Sequence, residues 1–212
     1  VVRAQPGALS VQYSATVGSP EVSVGGQVGV AYDDEVIVAL RQSRYCPSDA
    51  LAGFASSEFA DHLGSTDLAP AVAQWVHDRF AYIPGVSDAL DTALDTLIRH
   101  EGVCRDFAHV TVALCRALGI PARLVAVYAP GLSPMDFHAV AEVRIGDSWE
   151  ILDATRLAPR PSLVRIATGR DAADTAFATT LEGNAELVST SISAVTEGPL
   201  PNDDHTGSVV IG

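Results

Sequence analysis

The stretch 103–121 constrains the fold of this chain more than any other. Phe107, Val110, Thr111, Leu114 and Leu118 recur at helical spacing, which predicts a helix over about 103–118 with that stripe turned inward. Gly119 takes a left-handed conformation at little steric cost and Pro121 cannot continue a helix, so the helix stops there. From residue 122 the period changes. Segments 122–128, 137–145 and 148–154 read as strands, and 163–166 and a stretch within 176–196 are expected as further ones. Two more helices precede the first. One covers 67–81, with Asp67 near its start, Val72, Trp75, Val76 and Phe80 on its stripe, and Pro84-Gly85 beyond its end. The other covers 88–100, with Leu90, Leu94, Leu97 and Ile98. Helices followed by strands, rather than alternating with them, argue for an α+β fold whose core ends in an antiparallel sheet.

Ahead of the helices, Leu9, Val11, Tyr13, Ala15 and Val17 alternate as a half-buried strand. Segments 22–30 and 36–40 read as two more, interrupted by Gly25-Gly26 and Asp33-Asp34. The expected division is a β-rich N-terminal unit over 1–60 and a second unit over 61–212. A short helical piece is expected from Pro47 to about residue 60, capped by Ser48 or Asp49. Hydrophobic residues make up 48% and charged residues 18%, which supplies a sizeable core and argues against global disorder.

Thirteen arginines and no lysine stand against 26 acidic residues, a net charge of −13. Such a surface repels phosphate backbones, so no nucleic-acid partner is expected. There is no apolar run near 18 residues and no basic–apolar–small leader, so neither a membrane partner nor an intact signal peptide is expected. Three cysteines, Cys46, Cys104 and Cys115, cannot all pair within the chain. Odd thiols in a chain this long fit a reducing compartment, and the cytoplasm is the expected location.

Cys104 follows Gly102-Val103 and opens the 103–118 helix. The N–H groups of a first helical turn point at a thiol placed there, and the same groups can donate to an oxyanion. Cys115 lies about 16 Å further along the helix, at roughly 1.5 Å per residue, and reads as structural. Cys46, before Pro47, has no evident base partner. In the strand 137–145, His138 shares a face with Val140, Glu142 and Arg144. If Gly146-Asp147 forms a two-residue hairpin loop, Val140 faces Asp153, and His138 and Asp153 become diagonal neighbours about 7 Å apart at the backbone. A one-residue slip would put Asp153 on the other face. Thiol, imidazole and carboxylate together support nucleophilic acyl chemistry: Cys104 attacks, His138 moves the proton, Asp153 orients the ring.

The strings Gly102-Val103-Cys104-Arg105-Asp106-Phe107-Ala108-His109 and Leu114-Cys115-Arg116-Ala117-Leu118-Gly119-Ile120-Pro121-Ala122-Arg123 resemble the bacterial transglutaminase-like superfamily, relatives of the papain-type thiol enzymes. His138-Ala139-Val140 and Trp149-Glu150-Ile151-Leu152-Asp153-Ala154-Thr155 continue the resemblance, which covers about 65–160. It implies a papain-like α+β core within 61–212, no cofactor, and a Cys104–His138–Asp153 triad acting on a peptide, protein or amide substrate. Members hydrolyse peptides or amides, transfer glutamine acyl groups to amines, or have lost the triad and act as scaffolds. Hydrolysis is the favoured expectation here, with amine transfer second. The flank Arg41-Gln42-Ser43-Arg44-Tyr45-Cys46-Pro47-Ser48-Asp49 also resembles the β-rich N-terminal extension of a bacterial subgroup.

Other polar residues read as less central. Asp106 is expected to meet helix-end N–H groups, although it and His109 are placed where either could line a cleft. Tyr82 reads as a half-buried core tyrosine, with an oxyanion donor as the alternative. Trp75 and Phe107 read as core. Asp136 points away from its strand neighbour His138. Residues 202–207 read as a solvated turn without zinc or calcium spacing, and Cys104, Cys115 and His109 cannot share one metal ion.

Overall fold

The computed structural model describes residues 1–18 and 34–212. Its centre is a helix that is buried on nearly every side. Five α-helices occur among the described residues: α1 (Asp34–Leu40), α2 (Ala52–Glu58), α3 (Leu68–Arg79), α4 (Ala93–Arg99) and α5 (Cys104–Ala117). Two short strands, β1 (Ala81–Tyr82) and β2 (Glu101–Gly102), pair in parallel. Strands β3 (Ala122–Tyr128), β4 (Phe137–Ile145), β5 (Ser148–Leu152) and β6 (Val164–Gly169) form an antiparallel sheet in the order β5-β4-β3-β6. This is the expected α+β arrangement. None of these helices is long and apolar enough to cross a membrane.

Helix α5 owes its enclosure to its sequence, since every residue from Asp106 to Arg116 is buried. Its end is a full Schellman turn. Gly119 stands at φ +77°, its N–H donates to Arg116 O (3.0 Å), and the Ile120 N–H donates to Cys115 O (2.9 Å). Pro121 then releases the chain into β3. One apolar cluster joins Val72 and Val76 of α3, Val110 and Leu114 of α5, and Ala122, Ala141, Val143 and Leu152 of the sheet. A second gathers Val125, Val127, Val140 and Ile151 with Leu163 and Ile211. Alternate strand residues thus enter opposite clusters, and the sheet is covered on both faces. Cys46, Leu51, Ala55 and Phe59 lie in the first cluster beside α5.

Several local elements differ from the sequence reading. Segment 9–17 forms no strand, and Leu9, Val11, Tyr13 and Val17 are exposed. Alternation makes a strand only where a neighbouring edge takes its backbone groups. The expected strand 22–30 lies outside the described residues. Segment 36–40 belongs to α1: Asp34 and Glu35 occupy its first turn, and Val36 and Ala39 are buried at helical spacing. Packing there outweighs the small strand preference of its β-branched residues. Helix α4 starts at Ala93 because Thr92 and Asp95 form a capping box, while Asp88 and Asp91 close a turn ahead of it. Leu90 is therefore outside the helix and exposed, and Ile98, within the helix, is exposed as well. The piece after Pro47 is a 3₁₀ turn (Ser48–Leu51) running into α2, with no side-chain cap from Ser48 or Asp49. No strand forms within 176–196. The 202–207 turn is docked rather than solvated: Arg160 grips Asp203 through Nε (2.9 Å) and Nη2 (2.8 Å), with both side chains buried.

Leu114 is fully buried at the centre of α5. Leu114→Ala is expected to lower unfolding free energy by about 2–5 kcal/mol, against a typical domain total of roughly 5–15 kcal/mol. Urea unfolding measures this, and a loss under about 1 kcal/mol would show that α5 is not the tightly packed centre of the fold.

Candidate active site

Cys104 is the first residue of α5, and three neighbours fix its place. The preceding Val103 is extended, and Asp106 reaches back so that its Oδ2 accepts the Val103 N–H at 2.8 Å. The other oxygen of Asp106 accepts from Arg105 Nε (3.2 Å) and Nη2 (3.1 Å). Arg105 Nη2 also donates to Asp88 O at 2.6 Å, tying the loop before α4 to the start of α5. Gly102 makes room for this: a Cβ there would stand 2.7 Å from the Asp106 Cβ and 2.8 Å from its Oδ2. The β1–β2 pairing sets Tyr82 opposite Gly102. Tyr82 lies close enough to Cys104 for the two to interact electrostatically. Burial and the Cys104 charge push that phenol up to about 12, with the Cys104 backbone N–H acting the other way.

The imidazole and carboxylate come from one hairpin. Gly146, at φ +57°, makes the tight turn from β4 to β5, and Ile145 pairs with Ser148. The ladder runs back to Ala141 opposite Leu152, which brings Asp153, one residue beyond β5, level with Val140. His138 Nε2 donates to Asp153 Oδ2 at 2.9 Å, and both side chains are buried. Nδ1 is buried without a hydrogen-bond partner among the described residues. Burial pulls the His138 pKa down, but the Asp153 charge and hydrogen bond outweigh it, with Cys104 adding to them, and the value rises to about 10. Burial acts to raise the Asp153 pKa. The His138 charge and the hydrogen bonds from His138 and Thr155 overcome that and hold it below the usual carboxylate range.

The structure thus brings Cys104, His138, Asp153 and Tyr82 to one place. The remaining candidates do other things. Asp106 holds the helix start. His109 is buried elsewhere: its Nε2 accepts the Ala172 N–H (3.1 Å) and its ring stacks on Tyr45, with burial lowering its pKa to about 4. Asp136 accepts the Phe137 N–H. Cys46 donates to His109 O (3.5 Å), and burial pushes both Cys46 and Cys115 up to about 12. Trp75 and Phe107 are core, as expected. Thr155 was not singled out by sequence reasoning. Its hydroxyl donates to Asp153 Oδ1 at 2.7 Å and its N–H to the same oxygen at 2.9 Å. The signal was legible as Asp153-Ala154-Thr155, the spacing at which an aspartate accepts from the backbone two residues on.

Comparison with known proteins bears on the fold that carries these residues. A sequence model of the transglutaminase-like superfamily matches residues 56–154. The crystal structure of a candidate cysteine protease from Cytophaga hutchinsonii superposes with a TM-score of 0.74 at 38% identity, covering 86% of this chain and 65% of that one. An uncharacterised protein of Mycobacterium leprae is 28% identical over 155 residues, 68% of this chain. This chain spans 53% of the Mycobacterium protein's length.

Two buried histidines give stability two pH limbs. His138, raised in the folded state, contributes stability that is fully present below pH 6.5 and lost as pH rises towards about 10. His109, depressed, contributes stability present above pH 6.5 and lost as pH falls towards about 4. Over the alkaline window, His138→Gln is expected to flatten the decline by up to about 1.4 kcal/mol per pH unit, one proton's worth. Urea titrations at several pH values measure it, and parallel declines in both proteins would contradict the assigned ion pair.

Proposed function

Because the core over residues 56–154 makes this chain a member of the transglutaminase-like superfamily, we propose that it is a cysteine hydrolase that cleaves peptide or amide bonds through a thioacyl-enzyme. The observation that carries the proposal is the His138 ring, with Nε2 on Asp153 and Nδ1 left for Cys104. Cys104 is the nucleophile. His138 accepts its proton, and the sulfur adds to the substrate carbonyl to give a tetrahedral oxyanion. In this reading the Cys104 N–H, at the first turn of α5, and the Tyr82 hydroxyl donate to that oxygen. The intermediate collapses with cleavage of the C–N bond, and the imidazolium gives its proton to the departing amine. Water then attacks the thioester while His138 takes a proton from it. The acid leaves, and the sulfur recovers its proton from His138.

The substrate class follows from this chemistry: a carbonyl bearing an amine leaving group, on a peptide, a protein or a small amide. Asp153 keeps the ring in the tautomer and orientation that the two proton transfers need.

With a fluorogenic peptide-amide library as substrate, Cys104→Ala is expected to abolish turnover. Asp153→Asn is expected to leave a remainder about 10³–10⁴-fold below wild type, because nucleophile and oxyanion donors survive. Adding a fluorescent primary amine tests the fate of the acyl group. Preferential amine incorporation over hydrolysis would replace hydrolysis with acyl transfer, and equal activity of Cys104→Ala and wild type would overturn the enzymatic reading. Iodoacetamide should label Cys104, which is half-buried, well ahead of the buried Cys46 and Cys115. Mass spectrometry of the labelled peptides reads the order, and equal labelling of Cys104 and Cys115 would remove the case for a reactive thiol.

A further inference from the structure

We propose that Thr155 is a positioning residue for the Cys104–His138 pair, acting through Asp153; the inference rests on the hydrolase reading above and extends the site by one residue. Asp153 has two oxygens and gives them separate duties. Oδ2 accepts from His138 Nε2 at 2.9 Å. Oδ1 accepts twice from Thr155, from its hydroxyl at 2.7 Å and its N–H at 2.9 Å. A carboxylate held by one oxygen alone can turn about its Cβ–Cγ bond. Two donors on the second oxygen fix the plane of the group, and with it the direction in which Oδ2 faces the imidazole.

The Thr155 hydroxyl is itself directed. The Leu157 N–H donates to Thr155 Oγ1 at 3.4 Å, so a lone pair is occupied and the single hydroxyl proton is committed to Asp153. Oγ1 also stands 3.5 Å from His138 Nε2, on the side of the ring that Asp153 holds. Thr155, Asp153 and His138 are all buried, so bulk water does not compete for these bonds. The hydroxyl makes no hydrogen bond to the thiol; its partners are Asp153, His138 and the Leu157 N–H. Its effect reaches Cys104 only through the carboxylate and the ring.

Thr155→Val keeps the shape and the backbone N–H and removes only the hydroxyl. The direct readout is the pH profile of Cys104 alkylation by iodoacetamide, which needs no substrate. In wild type the profile is expected to carry an alkaline inflection from His138. Thr155→Val is expected to move that inflection down by half a pH unit or more, and Thr155→Ser, which keeps the hydroxyl, to restore it. With a cleavable substrate, kcat is expected to fall about tenfold in Thr155→Val with KM changed less than twofold. A structural role alone would lower the unfolding midpoint without moving the inflection. If Thr155→Val does not fold, Thr155→Ala and the downfield imidazole N–H resonance of wild type, compared with Thr155→Ser, replace it. An unmoved inflection, or an unmoved resonance where that is used, overturns the role of Thr155 while leaving the hydrolase reading intact. A wild-type profile with no histidine-linked inflection overturns both.

Discussion

Everything at this site depends on where α5 begins. A helix enclosed in a core cannot fray into solvent, so its first N–H groups must be met inside the protein. Asp106 does this for Val103 from within the first turn, and the absence of a side chain at Gly102 lets the carboxylate fold back. Arg105 balances the buried charge and carries the tie outward to the loop before α4. The consequence is positional. Cys104 is held one residue past the point where the chain turns into the helix, with its N–H still unused by the helix and with Tyr82 paired opposite Gly102, two residues before it. Shifting the start by one residue would swing the thiol through about 100° around the axis, away from the ring.

The His138–Asp153 pair is a poor investment for stability. Taking two ionised groups out of water costs several kcal/mol each, and an apolar pair of similar volume often does as well or better. The fold keeps them where both are buried and supplies Asp153 with two further donors from Thr155. Two other carboxylates with buried side chains are treated differently. Glu142 lies between Arg123 and Arg165, and Arg160 clamps Asp203, so both have their charge met by a guanidinium that does not give up its proton. His138 is instead a group that both accepts and releases a proton, with one nitrogen left open. That contrast supports the catalytic reading proposed for the pair.

How much of this was readable in the chain differs by element. The limits of α5 were, because Gly119 and Pro121 stop a helix by local chemistry that no neighbour can override. The β4–β5 hairpin was in outline, because Gly146-Asp147 offers a tight turn between two alternating segments, while its register depended on the loop length and is fixed by the ladder itself. Helix α1 was not: Val36-Ile37-Val38 prefers a strand, and only burial of Val36 and Ala39 makes it helical. The exposed 9–17 segment shows the converse, since an alternating pattern carries no information about whether an edge is present to pair with. At the site, Cys104, His138 and Asp153 stood out by residue type and spacing. Thr155 did not, because a hydroxyl gains its meaning from the oxygen it donates to, which is fixed only when β5 has been placed. The split duties of Arg105 and Arg160 are of the same kind.

The register of the hairpin links the core to the chemistry. Val140 and Ile151 enter one apolar cluster, while Ala141, Val143 and Leu152 enter the other. Slipping β5 by one residue would exchange these sets, driving Ile151 into the space beside α5 and Leu152 into the opposite cluster. Each misplaced side chain costs on the order of 1–3 kcal/mol, so several together exceed any local gain from an alternative turn. The same slip would carry Asp153 off the face that His138 occupies. Apolar packing several residues away thus holds the carboxylate in line with the imidazole, and the site needs no separate device to keep its register.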